Sequence, residues 1–525
     1  MMAILVVDPI AQDGIDALAK HVQVDVRLGL SREELLSLVG DYEGLIVRSE
    51  TRVTAEVISA GKQLKVIGRA GVGVDNIDVE AATERGIVVV NAPAAITITT
   101  AEHTFGLIMA AARNIPQAAQ SLREGRWVRS QFVGTELRGK TLGVYGMGRI
   151  GTAVAKRAQA FEMEVIAHDP FLPEDAFHRA GVEIVDRDTL LARSDFLTLH
   201  VPATGQNDNL IGGPEFAKMK TSAWLVNCAR GALVDEVALI EALDAGQIAG
   251  AALDVFKVEP AADNPLVHHP HVVATPHLAA STTEAQASVA VETAEQILAV
   301  LEGRPAPFAV NAPIVSGEAA RVLGPFAQLT QTLGNLCTQL AEGQMRSVEI
   351  TYSGEIAELD TSVLLASAIR GLLENVSQEP VNLVNASIVA RNRGLNITER
   401  KTNTAETYAN LVSVRVQTDR ATSLVGGTLI NGEPHIVCID DYWVTVVPTG
   451  GYVLLTHHVD RPGIVGKVGT ILGEADINIS SMQVGRESAR GPALMLLSVD
   501  NPVPNDVILR IQAIADLRDV KIVRI

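Results

Sequence analysis

This chain has few cysteines, fewer positive than negative charges and no long apolar run. Its three cysteines, Cys228, Cys337 and Cys438, stand far apart and without metal-ligand spacing, which excludes a disulfide framework and a cysteine-built metal centre. No apolar run reaches the roughly 20 residues a membrane helix needs. No basic leader opens the chain: Ala3-Ile-Leu-Val-Val runs straight into Asp8, so the expected location is the cytoplasm. Lys and Arg number 43 against 61 Asp and Glu, and the net charge of −18 argues against nucleic acid or an anionic membrane as principal partner. An anionic small molecule would therefore need a locally basic pocket.

What the chain does have is centred on Leu142–Asp169. A short apolar strand leads into Gly146-Met-Gly148-Arg-Ile-Gly151, then a helical stretch, then Val165-Ile-Ala-His-Asp169. Gly146 permits a tight turn, Gly148 lets backbone approach a pyrophosphate, and Gly151 lets the helix lie close on the strand. The helix start, with unpaired N–H groups and a positive dipole end, suits an anion, and Arg149 adds charge. Asp169 lies 18 residues past Gly151, where a carboxylate accepts from ribose hydroxyls and repels a 2′-phosphate. The pattern predicts an NAD site.

At 525 residues the chain exceeds one core, and three or more domains are expected. Strands at Ala3–Val7, Gln23–Val26, Gly44–Val47, Lys65–Gly68 and Ile87–Val90 alternate with helical patterns, the rhythm of a parallel sheet. Thr100–Arg113 reads as an apolar helix capped by Thr99 or Thr100, followed by a polar segment in which Trp127 and Phe132 are either partner-subunit anchors or core. The rhythm resumes at Val182–Val185, Phe196–His200, Trp224–Asn227, Gly250–Leu253 and Val272–Ala274. Ser281–Glu302 reads as a long helix returning to the first unit, and prolines then mark a boundary. Ser316–Val447 mixes a helix around Pro325–Ala341 with strands and polar loops near Arg391–Asn403. Gly450-Gly451 reads as a hinge, and Tyr452–Ile525 fits a strand–helix–strand–strand–helix–strand motif.

The expected class is α/β: a Rossmann-type cofactor domain (99–282) inserted in a flavodoxin-like, doubly wound substrate domain (1–98 and 283–312). An α+β intervening domain (313–449) and a ferredoxin-like C-terminal domain (450–525) complete it.

Three residues at strand ends or in loops of the second unit are the candidates for chemistry: Arg230, Glu259 and His277. Hydride leaves an alcohol carbon readily only as its hydroxyl proton is removed, and an imidazole with an ordinary pKa of about 6.5 suits that task. A carboxylate beside it fixes the tautomer, and a guanidinium grips a carboxylate through a planar fork. Cys228, two residues from Arg230, is expected to pack rather than react.

Asn227–Gly231, Gly250–Pro260 with Asp254, and Thr275–Thr282, together with Gly146–Gly151, resemble the D-2-hydroxyacid dehydrogenase family. The resemblance implies that Arg230 binds substrate, His277 is the acid/base and Glu259 its partner. It also implies cofactor contacts at Arg149, Ile150, Asp169, Val201, Cys228, Ala229, Arg230, Asp254, His277, Leu278, Ala279 and Ala280. Val72 is a further match, though it stands where relatives often carry threonine, so a side-chain hydrogen bond is lost there.

Val47-Arg48-Ser-Glu-Thr51 and Gly68–Asn76 draw the resemblance closer to long members acting on 3-phosphoglycerate, over essentially the whole chain. That implies Arg48, Arg69 and Arg129 as ligands of the substrate's phosphate and carboxylate. The middle segment is similar to an extra domain for which an anion site has been proposed, with Arg391 and Arg393 as candidates. The last segment resembles the ACT amino-acid-binding domain, implying an L-serine effector held by His458, Asp460 and Asn478 between paired domains of a homo-oligomer. Asp460 replaces the asparagine of some members. The other readings are a glyoxylate, hydroxypyruvate or 2-oxoglutarate reductase, and a non-catalytic NAD-sensing protein.

If Asp169 reads the ribose, Asp169→Ala relaxes the preference for NAD over NADP; kcat/KM with each cofactor checks it, and an unchanged ratio refutes the assignment.

Overall fold

A computed structural model of the chain describes residues 2–172, 177, 180–313, 318–404, 407–448 and 450–525. Four sheets organise them. The first has five parallel strands, Ala3–Val6, Gln23–Val26, Gly44–Val47, Val66–Arg69 and Val88–Val90, in the order second-first-third-fourth-fifth. Its central strands are buried on both faces, which is why they read as unbroken apolar runs. The long helix Thr283–Leu301 returns to this sheet. Ile297 and Thr293 fill the space over Gly68, where a Cβ would collide with both side chains.

The second sheet has seven parallel strands. From one edge to the other they are Val272–Ala274, Gly250–Leu253, Trp224–Asn227, Phe196–Leu199, Thr141–Tyr145, Glu164–His168 and Glu183–Ile184. Strand order reverses between Thr141–Tyr145 and Phe196–Leu199, and the glycine-rich turn follows the first of these. A doubly wound sheet opens its ligand crevice at such a reversal.

The third sheet is mixed, with six strands: Asn396–Thr402, Met345–Gly354, Asn410–Thr418, Thr422–Ile430, Glu433–Ile439 and Tyr442–Val446. Glu318–Leu340 and Ser362–Leu373 pack together over it. The fourth sheet is antiparallel, ordered Ile479–Arg486, Pro492–Val499, Tyr452–Val459, Leu517–Arg524, with helices Ile464–Glu474 and Asn505–Gln512 on one face.

Several local expectations are corrected. The stretch expected to be polar loop near Arg391–Asn403 contains the end of helix Ala386–Asn392 and the strand Asn396–Thr402. That strand is an exposed edge, so it carries charge where a buried strand carries apolar residues. The helix expected from Thr100 begins at Thr97 with no side-chain cap, because the loop before it is held from outside: Ala95 N–H donates to Glu292 Oε2 at 2.8 Å. The polar segment after it includes the helix Ile115–Arg123. Val182–Val185 shrinks to Glu183–Ile184, an exposed edge pair. The helix around Pro325 starts at Glu318 and runs through the proline.

Gly450 and Gly451 have φ of +87° and +99°, yet they do not form a free hinge. Ile525 N–H donates to Gly451 O, and the two last sheets share one core. Val453, Leu455, Leu494, Leu496 and Val523 join Leu329, Leu333 and Val444 in it. Gln339, near the end of Glu318–Leu340, is bonded both ways to Arg524, and Lys521 Nζ donates to Leu340 O at 2.8 Å. Alternation along Pro492–Val499 sends Leu494 and Leu496 to this shared core and Met495 and Leu497 to the helices.

Leu496→Ala should therefore cost about 2–5 kcal/mol, as a cavity in a core does. Urea denaturation checks it; a loss as small as that of a surface change would mean the two sheets do not share a core.

Candidate active site

The carboxyl ends of the first two sheets face each other across a cavity of about 840 Å³. Arg48, Arg52 and Arg69 line it from the first lobe, and Arg230, Lys257, Glu259 and His277 from the second. On the first side the wall is built on Asp8. This buried carboxylate at the end of the first strand accepts from the N–H groups of Arg48, Glu50 and Thr51, and from the Thr51 hydroxyl. Its negative charge is thus spent on backbone, and the Arg48 side chain is left to the cavity.

Arg69 is the more constrained cation. Burial, and next the repulsion of Arg230, bring its guanidinium down to about 10, with Asp75 opposing. Its Nε is buried without a hydrogen-bond partner among the described residues, as expected of a group arranged for an incoming anion. Arg230 donates through Nη1 to Ala229 O at 2.7 Å and lies 3.5 Å from Asp75 across the cavity. Gly73 is needed beside it, because a Cβ there would run into the Arg230 guanidinium.

His277 Nδ1 lies 2.8 Å from Glu259 Oε2, and Glu259 Oε1 accepts from Phe256 N–H at 3.0 Å. A carboxylate only accepts, so Nδ1 donates and Nε2 carries the free lone pair. The imidazole is half exposed. His277 has φ +54°, a left-handed conformation that a non-glycine residue holds only when its surroundings impose it.

Asp254 imposes it. Asp254 O accepts from His277 N–H, Oδ1 from Leu278 N–H and Thr275 Oγ1, and Oδ2 from Ala279 N–H. His103 Nε2 is 3.1 Å from Oδ1. Burial opposes the Asp254 charge, but these hydrogen bonds outweigh it and hold the carboxyl below its ordinary range.

The glycine turn fits a dinucleotide. Gly146 has φ +95°, and a Cβ on it would meet His200 O at 2.7 Å and Val201 at 2.7 Å. A Cβ on Gly151 would strike Gly146 O, whereas Gly148 faces open space. Helix Arg149–Ala160 starts at Gly148 without a side-chain cap, leaving its first N–H groups for an anion. Asp169 takes Met147 N–H on one oxygen and Phe171 N–H on the other, which sets the carboxylate beside the turn. Ile150 packs on the core beneath. Val72 and Ala280 line the cavity. Burial pushes the Cys228 thiol up to about 12, so it packs and does not attack.

Two groups expected together are not assembled by one chain. Arg129 sits exposed in the short helical turn Arg129–Phe132, outside the cavity. Trp127 beside it is 76% exposed, which removes the core reading for that side chain. His458 is buried at one end of the last sheet, and Asp460 follows it, bonded to Arg486 and Arg490 N–H. The Arg486 bond, chiefly, holds the Asp460 carboxyl below its usual range. Asn478 donates to Asp500 at the opposite end: Arg486 and His458 both pair with Ala493 of the strand between them, whereas Ile479 and Tyr452 both pair with Val499. Arg391 lies in the last turn of helix Ala386–Asn392, and Arg393 just beyond it donates to Val376 O.

Sequence reading missed His103, Arg52 and Lys257. His103 had a signal: it is the one imidazole on a helix, Thr97–Ala112, whose second half is apolar. Arg52 and Lys257 sit among other charged residues, and only the cavity distinguishes them.

A nucleotide-type crevice at a sheet reversal, facing a cationic lobe, with an imidazole–carboxylate pair between, defines an NAD-binding dehydrogenase of hydroxy acids. Residues 105–279 match the NAD-binding domain of D-isomer specific 2-hydroxyacid dehydrogenases. Residues 322–440 match the D-3-phosphoglycerate dehydrogenase intervening domain, and 452–516 the ACT domain. The chain is 47% identical to a D-3-phosphoglycerate dehydrogenase of Methanocaldococcus jannaschii, over 100% of both chains. A Synechocystis D-3-phosphoglycerate dehydrogenase is 46% identical over 100% of this chain and 95% of its own. Among solved structures, a glyoxylate reductase from Paecilomyes thermophila superposes with TM-score 0.55 at 34% identity, covering 59% of this chain and 98% of its own. The chain belongs to the D-3-phosphoglycerate dehydrogenase family.

Because the Arg69 pKa in the folded protein lies below its unfolded value, its charge costs the free enzyme stability at neutral pH. Arg69→Met should raise the thermal midpoint without ligand while raising KM for the anionic substrate roughly tenfold or more. Calorimetry and initial rates check the two halves.

Proposed function

We propose that this chain oxidises 3-phospho-D-glycerate to 3-phosphooxypyruvate with NAD, the opening step of phosphorylated L-serine synthesis. The observation that carries it is the pairing of His277 with Glu259 opposite three arginines of the first lobe in one cavity. Bound at the glycine turn, NAD supplies the hydride acceptor.

In this reading Arg230 grips the substrate carboxylate, and Arg48 and Arg69 take the remaining negative charge. His277 Nε2 removes the C2 hydroxyl proton, and Glu259 stabilises the imidazolium that results. Asp254 holds the loop bearing the imidazole in place, and closure of the two lobes excludes water.

Division at 98/99, 282/283, 312/313 and 449/450 accords with the four sheets, and residues 314–317 and 449 lie outside those described. L-Serine as effector needs His458 and Asp460 of one copy to meet Asn478 of another, so it entails a homo-oligomer. The exposed Trp127 and Val133 supply an apolar face for a second copy, and Arg129 would travel with it. No helix among the described residues is long and apolar enough to cross a membrane, and the cytoplasm is the proposed location.

The test is NADH formation from NAD and 3-phosphoglycerate with a phosphooxypyruvate trap, with and without L-serine. The wild-type chain should turn over and His277→Ala should lose at least about 100-fold in kcat. Faster turnover of glyoxylate or hydroxypyruvate would overturn the substrate, and an active His277→Ala would overturn the role.

A further inference from the structure

Arg149 opens the helix that follows the glycine turn, and its guanidinium carbon lies 4.8 Å from the centre of the Phe308 ring. That is within reach of a cation–π attraction. The two residues come from different lobes. Phe308 belongs to the segment that follows the long returning helix and closes onto the first sheet.

Its backbone is fastened there on both sides. Phe308 N–H donates to Gln296 Oε1 at 2.8 Å, and Phe308 O accepts from Asn91 N–H. Gln296 is buried and donates in turn to Asn91 O at 2.6 Å. Asn91 directly follows the last strand of the first sheet, so the ring stands at the carboxyl end of that sheet, toward the other lobe.

Arg149 is exposed, and no side chain caps its helix. A long side chain in that position spreads over many rotamers, and holding it in one costs conformational entropy on binding. A fixed aromatic face lowers that cost in advance. Glu292 feels the charge of Arg149, but its Oε2 takes Ala95 N–H; among the described residues its Oε1 has no hydrogen-bond partner, and no ion pair joins it to Arg149 in place of the ring.

We propose that Phe308 is a positioning residue for the dinucleotide: from the substrate lobe its ring holds Arg149 at the mouth of the glycine turn. Affinity for the cofactor's pyrophosphate then depends on how the two lobes stand. The inference rests on NAD binding at that turn.

Titration of the intact protein with NADH, read by nucleotide fluorescence, tests it without turnover. Phe308→Leu keeps apolar bulk but removes the ring face, and should weaken NADH binding about two- to fivefold. Phe308→Tyr should bind as the wild type does. In a double-mutant cycle, Phe308→Leu should add nothing once Arg149→Ala is present. The KM for phosphoglycerate should not change. Wild-type affinity in Phe308→Leu, or losses that multiply in the double variant, would overturn the inference alone. Failure of the wild-type chain to bind NADH would sink the proposed function with it.

Discussion

Charge of one sign, gathered where the chain as a whole carries the other, is the constraint on which the catalytic half depends. Arg48, Arg52, Arg69 and Arg230 approach one cavity in a protein of net charge −18. Like charges at short range in a partly dry site are unfavourable, and here part of that cost appears as the depressed Arg69 pKa. Asp75, and after it Asp8, relieve it only partially. A site in this state gains most from a multiply anionic ligand, which restores the balance that the fold leaves open.

The reactive pair depends on a less visible carboxylate. His277 adopts a left-handed backbone, uncommon for a residue other than glycine. Asp254, buried and hydrogen-bonded by side chains and N–H groups from two other segments, ties its own strand end, the Thr275–Ala279 loop and the helix of His103 into one piece. The imidazole can then meet Glu259 with its free nitrogen turned outward. A half-exposed histidine would otherwise wander among rotamers.

The C-terminal half is bound together differently. One face of the last sheet is core shared with the third sheet, so an effector at the edge of the ACT segment would act on a unit larger than its own fold. Contact back to the catalytic half includes Asn382, whose side chain donates to Gly86 O at the turn of the first lobe. The C-terminal half thereby meets the lobe that carries Arg48 and Arg69.

By itself the sequence determined whatever depends on local order. Parallel strands buried on both faces announce themselves as apolar runs, and Gly146–Gly151 with Asp169 states the cofactor crevice, because turn, helix start and carboxylate are fixed by spacing alone. Arg230, Glu259 and His277 were legible as strand-end residues. Edge strand Asn396–Thr402 was not, since exposure lets an edge carry charges that look like a loop. Nor were His103, Arg52, Lys257 or Phe308, whose roles come from partners as far as 172 residues away and leave no local pattern. Tertiary structure decided those, and it alone separated Asn478 from His458 and Arg129 from the cavity. Strand register and lobe packing set these distances, and no short stretch of chain encodes either.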